Sequence, residues 1–345
     1  MYSESDLDAA VKGGALSAEA AESFRSFIAR SRSTRGADEE SFRLLTGFND
    51  IFVTIAIVLV FAAAAALVPE QASLAEGPVL AAASWGLAKY FTRRRRMALP
   101  SIVLVLIFVG SVFLTGFLPL QAAFRAGALP GGGPEGRPLL AGFAALALAA
   151  GAAYAHWRRF MVPITVAAMT LAVVGAVLLI LFAAVPEARD MRLPLIFAAG
   201  LVVFAVAMRW DGSDRRRVTR RADTAFWLHL AAAPMIVHPV FQGLHLLAPG
   251  VPVLNAVFAV ACYVLLILVA LAVDRRALLV SSLAYVLVAM SRLLSGNGAV
   301  TSAFAVAALC IGTCLLLLSA SWQSGRSLLV GRLPPALQAL LPPVG

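Results

Sequence analysis

The residues best able to carry chemistry in this sequence are three histidines within one apolar stretch, residues 223–250. His229, His238 and His245 lie in DTAFWLHLAAAPMIVHPVFQGLHLLAPG, a run long enough to cross a membrane. An imidazole can bind a metal, relay a proton or hydrogen-bond to a ligand. At about 100° per residue, His238 and His245 share one helix face, whereas His229 lies on the opposite face. This phase argues against a site built from all three histidines.

Gln242 falls on the same face as two of these histidines, because His238, Gln242 and His245 occupy positions i, i+4 and i+7. Pro234 and Pro239 each remove a helical hydrogen bond and free a carbonyl four residues earlier. Freed backbone groups at membrane depth need protein, water or a ligand as partners, and transporters bind substrates at such broken helices. We therefore predict six ligand-binding residues: His238, Gln242, His245, Pro234, Pro239 and Asn255.

A structural interpretation of these residues stays open. Proline is common in membrane helices as a packing kink, and a neutral histidine can hydrogen-bond to a neighbouring helix. We expect His229 to be structural. His156 is expected at the membrane interface, beside Trp157 and Arg158.

Acidic side chains are scarce in the apolar segments. Asp50 and Asp223 lie at segment ends and Asp274 lies in a turn, so no carboxylate proton relay is expected. Cys310 and Cys314 share a helix face but have no third ligand nearby, so no metal site is predicted. The common nucleotide, zinc-protease, hydrolase and redox motifs do not occur. We predict no cofactor and no catalytic residue, and we do not favour an enzyme.

The composition places most of the chain in a membrane. The 345 residues are 61% hydrophobic and 13% charged, about half the charged fraction of a soluble domain. A spanning helix needs about 20 apolar residues. Ten segments meet this condition: 51–68, 74–91, 99–118, 139–156, 160–185, 193–208, 224–247, 251–273, 277–294 and 299–320.

The basic residues indicate how these segments are threaded. If the N-terminus is cytosolic, 23 of the 28 Lys and Arg residues fall on the cytosolic side. The pattern predicts an all-α, polytopic membrane bundle of about ten transmembrane helices with both ends in the cytosol. In this interpretation the basic residues behind the net charge of +10 set the membrane topology, and nucleic acid is not an expected partner. The excess of Arg over Lys is typical of a GC-rich bacterial genome, which favours the bacterial inner membrane.

Two arginine clusters have a second interpretation. Besides setting topology, they can bind anionic lipid headgroups on the cytosolic leaflet. The clusters are Arg93, Arg94, Arg95 and Arg96, and Arg215, Arg216, Arg217, Arg220 and Arg221.

Two basic turns have similar sequences. RRMALPSIVLV (95–105) and RRFMVPITVAA (158–168) both place a proline four residues after the last arginine. The similarity is compatible with an internal hairpin repeat, although regular helix lengths would give a similar period.

The first 40 residues predict a small cytosolic helical hairpin and linker, followed by the bundle (41–322) and an interfacial tail (323–345). Ser5 to Lys12 can form a helix that ends at Gly13 and Gly14, and Ser17 is a suitable N-cap for a second helix. The hairpin is either a cap that packs on the bundle or a docking site for a protein partner.

The hairpin sequence LDAAVKGGALSAEAAESFRSF, followed by many hydrophobic segments, resembles a bacterial family of predicted membrane proteins of unknown function. The resemblance covers mainly the first 60 residues. It implies a multi-pass inner-membrane protein and transfers no site residues.

The sequence thus supports two hypotheses of different classes. The first is a permease-like protein that binds a small or amphipathic molecule along residues 224–247. The second is a non-catalytic membrane scaffold or sensor that acts through the N-terminal hairpin.

Overall fold

The computed structural model contains helices and turns, and no strands, over the residues it describes, which are 4–24, 26, 48–69, 72–130, 133–215, 217, 219–244, 253–279, 283, 286–287, 300–338 and 341–343. We number twelve helices in chain order: α1 (Glu4–Lys12), α2 (Phe48–Ala66), α3 (Ser73–Ala88), α4 (Ala98–Arg125), α5 (Gly133–Phe160), α6 (Ile164–Ala184), α7 (Arg192–Gly212), α8 (Arg220–Gly243), α9 (Val253–Val273), α10 (Val300–Ala320), α11 (Trp322–Val330) and α12 (Pro335–Gln338).

The chain divides into a small unit of residues 1–42 and a large unit of residues 43–344. In the small unit, α1 is followed by Gly14 in the left-handed conformation, at φ 72°. The Ser17 hydroxyl then accepts a hydrogen bond from the Ala20 amide at 3.1 Å, and residues 18–24 are helical. The predicted helix end and N-cap are confirmed.

Among the described residues of the large unit, six helices are long and apolar enough to cross a membrane: α2, α4, α5, α6, α7 and α8. A seventh candidate is the pair of α10 and α11, which meet at a bend of 71°. Helix α3 has 16 residues but continues as a π-helix over Lys89–Arg94. The predicted segment 277–294 lies mostly outside the described residues. The chain therefore contains a multi-pass set of apolar helices.

Consecutive helices pack as antiparallel hairpins, most extensively α3 with α4, α5 with α6 and α7 with α8. Their connecting turns, and the turn after α9, each contain a non-glycine residue with positive φ: Arg96, Met161, Arg217 and Asp274. A single left-handed residue is a common way to end a helix and reverse the chain. These four turns are the basic turns that the charge pattern assigns to the cytosol.

Helices α3 and α4 approach each other closely at Gly77. A Cβ atom at this position would lie 2.6 Å from Thr115 Oγ1 and 2.7 Å from the Thr115 backbone nitrogen. Small residues commonly allow such contacts between membrane helices, where packing rather than hydrophobicity drives association. Gly86, on the same helix, faces open space.

We predict that Gly77→Ala lowers the free energy of unfolding by about 1–3 kcal/mol, the usual cost of overpacking. Gly86→Ala is the matched control and should be neutral or slightly stabilising, because alanine favours helix. Denaturant titration of both variants in one detergent measures the difference. Equal stabilities would show that α3 and α4 do not pack at this glycine.

Candidate functional site

The predicted binding residues of α8 lie in a continuous helix, because α8 passes through both Pro234 and Pro239 to Gly243. Pro239 is buried, His238 is half-buried and Gln242 is exposed. These residues therefore occupy different environments along one helix.

The two other predicted binding residues lie beyond α8. His245 is outside the described residues. The Asn255 side chain donates a hydrogen bond to the Leu244 carbonyl at 2.9 Å. This bond satisfies a carbonyl that the end of α8 leaves free and fixes the start of α9 beside it.

The histidine most deeply enclosed in α8 is His229, whose side chain is 0% exposed. Its Nε2 lies 2.9 Å from Oδ2 of Asp211, in the last turn of α7. Asp211 lies outside the predicted span 193–208, so the sequence did not indicate that it pairs with His229. Helix α7 extends to Gly212, beyond the predicted end at residue 208, and the α7–α8 hairpin brings Asp211 next to His229.

Asp211 also binds Arg275, in the turn after α9. Arg275 Nε donates to Asp211 Oδ2 at 3.2 Å, and Nη2 donates to Oδ1 and to the Ala222 carbonyl, the latter at 3.1 Å. A two-pronged contact between guanidinium and carboxylate is the strongest geometry for such a pair. We call Asp211, His229 and Arg275 the buried charge cluster, since each is at most 3% exposed.

Burial of this cluster is costly, because each ion removed from water loses several kcal/mol of solvation. For Asp211, the hydrogen bonds that its carboxylate accepts from His229 and Arg275 offset much of this loss. His229 is less completely satisfied, since its Nδ1 has no hydrogen-bond partner among the described residues and the Phe204 ring packs 5.2 Å away. The cluster thus contains one buried imidazole nitrogen available to a proton or a ligand.

The residue before Arg275 organises a second set of contacts, which we call the Asp274 network. Asp274 pairs with Arg217 at 2.8 Å and accepts from the Trp322 indole nitrogen at 2.8 Å. Arg217 also donates to the carbonyls of Val273 and Asp274, at 3.1 and 2.9 Å. The network joins the α7–α8 connection, the turn after α9 and the start of α11.

Two further arginines hold the C-terminal tail of the large unit. Arg326, which is 1% exposed, donates to the carbonyls of Pro342 and Pro343 at 2.6 and 3.0 Å. Arg215 donates to the Leu341 carbonyl at 2.7 Å. Hydrogen bonds from these two arginines to backbone carbonyls therefore hold the tail against the rest of the large unit.

The predicted lipid-binding arginines fall into different environments. Arg215 and Arg217 contact protein as described, and Arg216 is outside the described residues. The others are exposed: Arg93, Arg94, Arg95, Arg96, Arg220 and Arg221. Arg94 and Arg95 also lie over the Tyr90 ring, at 6.0 and 5.6 Å.

His156 is enclosed by protein at the end of α5, beside the basic turn. Its side chain is 1% exposed and lies against Trp85, Phe108 and Phe160, with ring distances of 4.5–5.7 Å. Thr165 Oγ1 lies 3.5 Å from Nδ1. Helix α5 places His156 where it meets α3, α4 and α6. The adjacent residues Trp157 and Arg158 do not indicate this position in the sequence.

Among the described residues, no three His, Cys, Asp or Glu side chains are grouped so that they could hold a metal ion. Cys262 is half-buried, and Cys310 and Cys314 are exposed.

No family model, curated protein or solved structure matches this chain. The resemblance of the N-terminal hairpin to a bacterial membrane family stays a prediction.

We predict that Asp211→Asn or Arg275→Gln alone lowers the free energy of unfolding by about 3–5 kcal/mol, because each leaves a buried charge without its partner. The double variant should lose clearly less than the sum of the two, since it leaves neither charge. Denaturant titration in one detergent measures this coupling.

The exposed residues Asp190 and Arg332 provide controls. Asp190→Asn and Arg332→Gln should each change stability by less than about 0.5 kcal/mol, and their effects should add. Additive losses at Asp211 and Arg275 would show that the two residues are not coupled.

Proposed function

We propose that this chain is a permease-like membrane protein that binds a small or amphipathic molecule, and that the buried charge cluster closes its cytosolic side. The observation that carries the proposal is the enclosed contact of Asp211 with His229 and Arg275. Ionisable side chains inside membrane bundles are rare and generally mark ion pathways, gates or ligand sites.

The energetics of the cluster suit a gate. A buried ion pair combines a large solvation loss with a similarly large attraction, so its paired and hydrated states differ little in free energy. Replacement by apolar residues is often neutral or stabilising, so stability alone is a weak reason to have such a cluster. A contact that opens into water at modest cost is what a gate requires.

The packing of α8 provides a place for such a movement. On the cytosolic side of the prolines, Leu228 and Ala232 pack with Val203 and Ala207 of α7. Beyond Pro234, Val237 and Phe241 pack instead with Tyr263 of α9 and Ile311 of α10. The two sets of contacts overlap, because Ala233 already packs with Ala270 of α9, whereas Met235 and Ile236 still pack in the cluster with α7. Pro234 lies within this overlap and Pro239 beyond it, and each removes a backbone hydrogen bond.

This change of partners assigns separate roles along α8. The segment around His229 belongs to the gate, and the segment with Pro234, His238, Pro239 and Gln242 belongs to the proposed binding region. The carbonyls that the prolines free are the groups through which discontinuous helices of transporters coordinate their substrates.

We propose ten spans with both ends in the cytosol of a bacterium, in its inner membrane. The 23:5 division of basic residues supports this threading. The exposed arginines of the turn at Arg93–Arg96 are proposed to contact anionic headgroups there.

A reporter inserted in the connection 126–132 tests the threading. We expect alkaline phosphatase to be active and green fluorescent protein to be dark at this site, because both respond to export from the cytosol. The turn after Arg159 should give the opposite pair of signals. Cytosolic signals at both sites would overturn the ten-span topology.

Cysteine accessibility tests the gate. In a background with Cys262, Cys310 and Cys314 replaced by serine, Ala225→Cys reports on a fully buried position one turn beyond Ala222. Adding Asp211→Asn and Arg275→Gln together should raise its labelling by a membrane-impermeant maleimide about tenfold, which corresponds to losing about 1.4 kcal/mol of closing free energy.

Ala149→Cys is the control, since this buried position lies on α5, outside the α7–α8 hairpin. Its labelling should not change. Equally faster labelling at both positions would indicate general loosening of the protein, and unchanged labelling of Ala225→Cys would contradict the proposed gate.

The second candidate, a scaffold or sensor, is supported by the separate unit of residues 1–42. It would gain if deleting that unit abolished a cellular phenotype without affecting the labelling.

A further inference from the structure

An apolar cleft of about 130 Å³ lies where α10 bends into α11. Leu279 and Leu283 form one wall and Leu315 and Leu318 of α10 form another. Trp322, the first residue of α11, lines the cleft at the bend. Its walls offer little to a hydrated solute but match a hydrocarbon chain.

Among the described residues that line the cleft, one is charged, Arg276. Its guanidinium lies over the Trp322 ring at 5.0 Å, a cation–π distance that fixes its position. A guanidinium presents several N–H donors in a planar fork, the arrangement that suits phosphate oxygens. The cleft therefore combines an apolar wall with a positioned phosphate-binding group.

We propose that this cleft binds an anionic phospholipid of the leaflet that faces the turn at Asp274–Arg276, with an acyl chain between the leucines and the phosphate on Arg276. Tryptophan and arginine together are characteristic of the membrane interface, where a phospholipid changes from hydrocarbon to headgroup. A soluble anion would bind Arg276 but would gain nothing from contact with the four leucines of the cleft.

The site is connected to the buried charge cluster through adjacent residues. The Trp322 ring forms part of the cleft, while its indole nitrogen donates to Asp274. Arg275, between Asp274 and Arg276, binds Asp211. A lipid that holds Arg276 and Trp322 therefore stabilises the turn from which the cluster receives its arginine.

The test uses the full chain in vesicles of phosphatidylcholine that contain phosphatidylglycerol brominated on its acyl chains. Bromine quenches tryptophan on contact, and the Trp322 signal is the difference between the parent protein and Trp322→Phe. We expect half-maximal quenching at about a fivefold lower fraction of brominated phosphatidylglycerol than of brominated phosphatidylcholine, the factor that one arginine near an anionic lipid contributes.

Three variants assign the effect. Arg276→Gln should abolish the preference for phosphatidylglycerol, Leu315→Phe should fill the cleft and reduce quenching by both lipids, and Arg332→Gln, at an exposed site, should match the parent. Equal quenching by the two lipids, or a preference that persists in Arg276→Gln, overturns the proposal.

If Arg276→Gln does not fold, the quenching measured with Leu315→Phe tests the proposal, because this variant retains every charge of the parent protein. Unreduced quenching in folded Leu315→Phe also overturns the proposal. Adding inorganic phosphate separates a lipid from a soluble anion, since phosphate should leave the quenching unchanged. Loss of quenching on phosphate addition would show that Arg276 takes the free anion.

Discussion

The Asp211 carboxylate governs how α7, α8 and the turn after α9 are arranged, because a buried charge tolerates very few surroundings. It accepts from His229 on α8 and from Arg275 after α9, so three elements meet at two oxygen atoms. Moving any of the three away would leave the carboxylate buried and partly unpaired, at a cost of several kcal/mol. The cluster therefore specifies one arrangement of these elements, whatever its net contribution to stability.

The turn after α9 shows how three consecutive side chains serve three purposes. Asp274 contacts Arg217 and Trp322, Arg275 enters the cluster, and Arg276 stacks on Trp322 beside the apolar cleft. The left-handed backbone of Asp274, at φ 58°, ends α9. The arginines of this basic turn thus make specific contacts in the folded protein.

Much of the helical layout was predictable, and the contacts within it were not. Local signals were sufficient for the end of α1 and the Ser17 cap, because glycine and serine act within one turn. Asp211 was missed because the apolar run ends at residue 208, whereas the helix continues one turn into polar sequence. Its partners His229 and Arg275 are distant in sequence, so only the packed structure brings them together. The enclosure of His156 was not predictable for a related reason, since aromatic neighbours of its ring come from other helices.

The sequence separation within the cluster has a consequence for biosynthesis. Asp211 and His229 are 18 residues apart and emerge from the ribosome as one hairpin, but Arg275 follows Asp211 by 64 residues. During synthesis, which adds about 5–20 residues per second, the Asp211 carboxylate therefore has only the histidine as a partner for several seconds. The earlier hairpin must enter the membrane in this half-paired state. Docking of the turn after α9 is then the step that gives Asp211 its second partner.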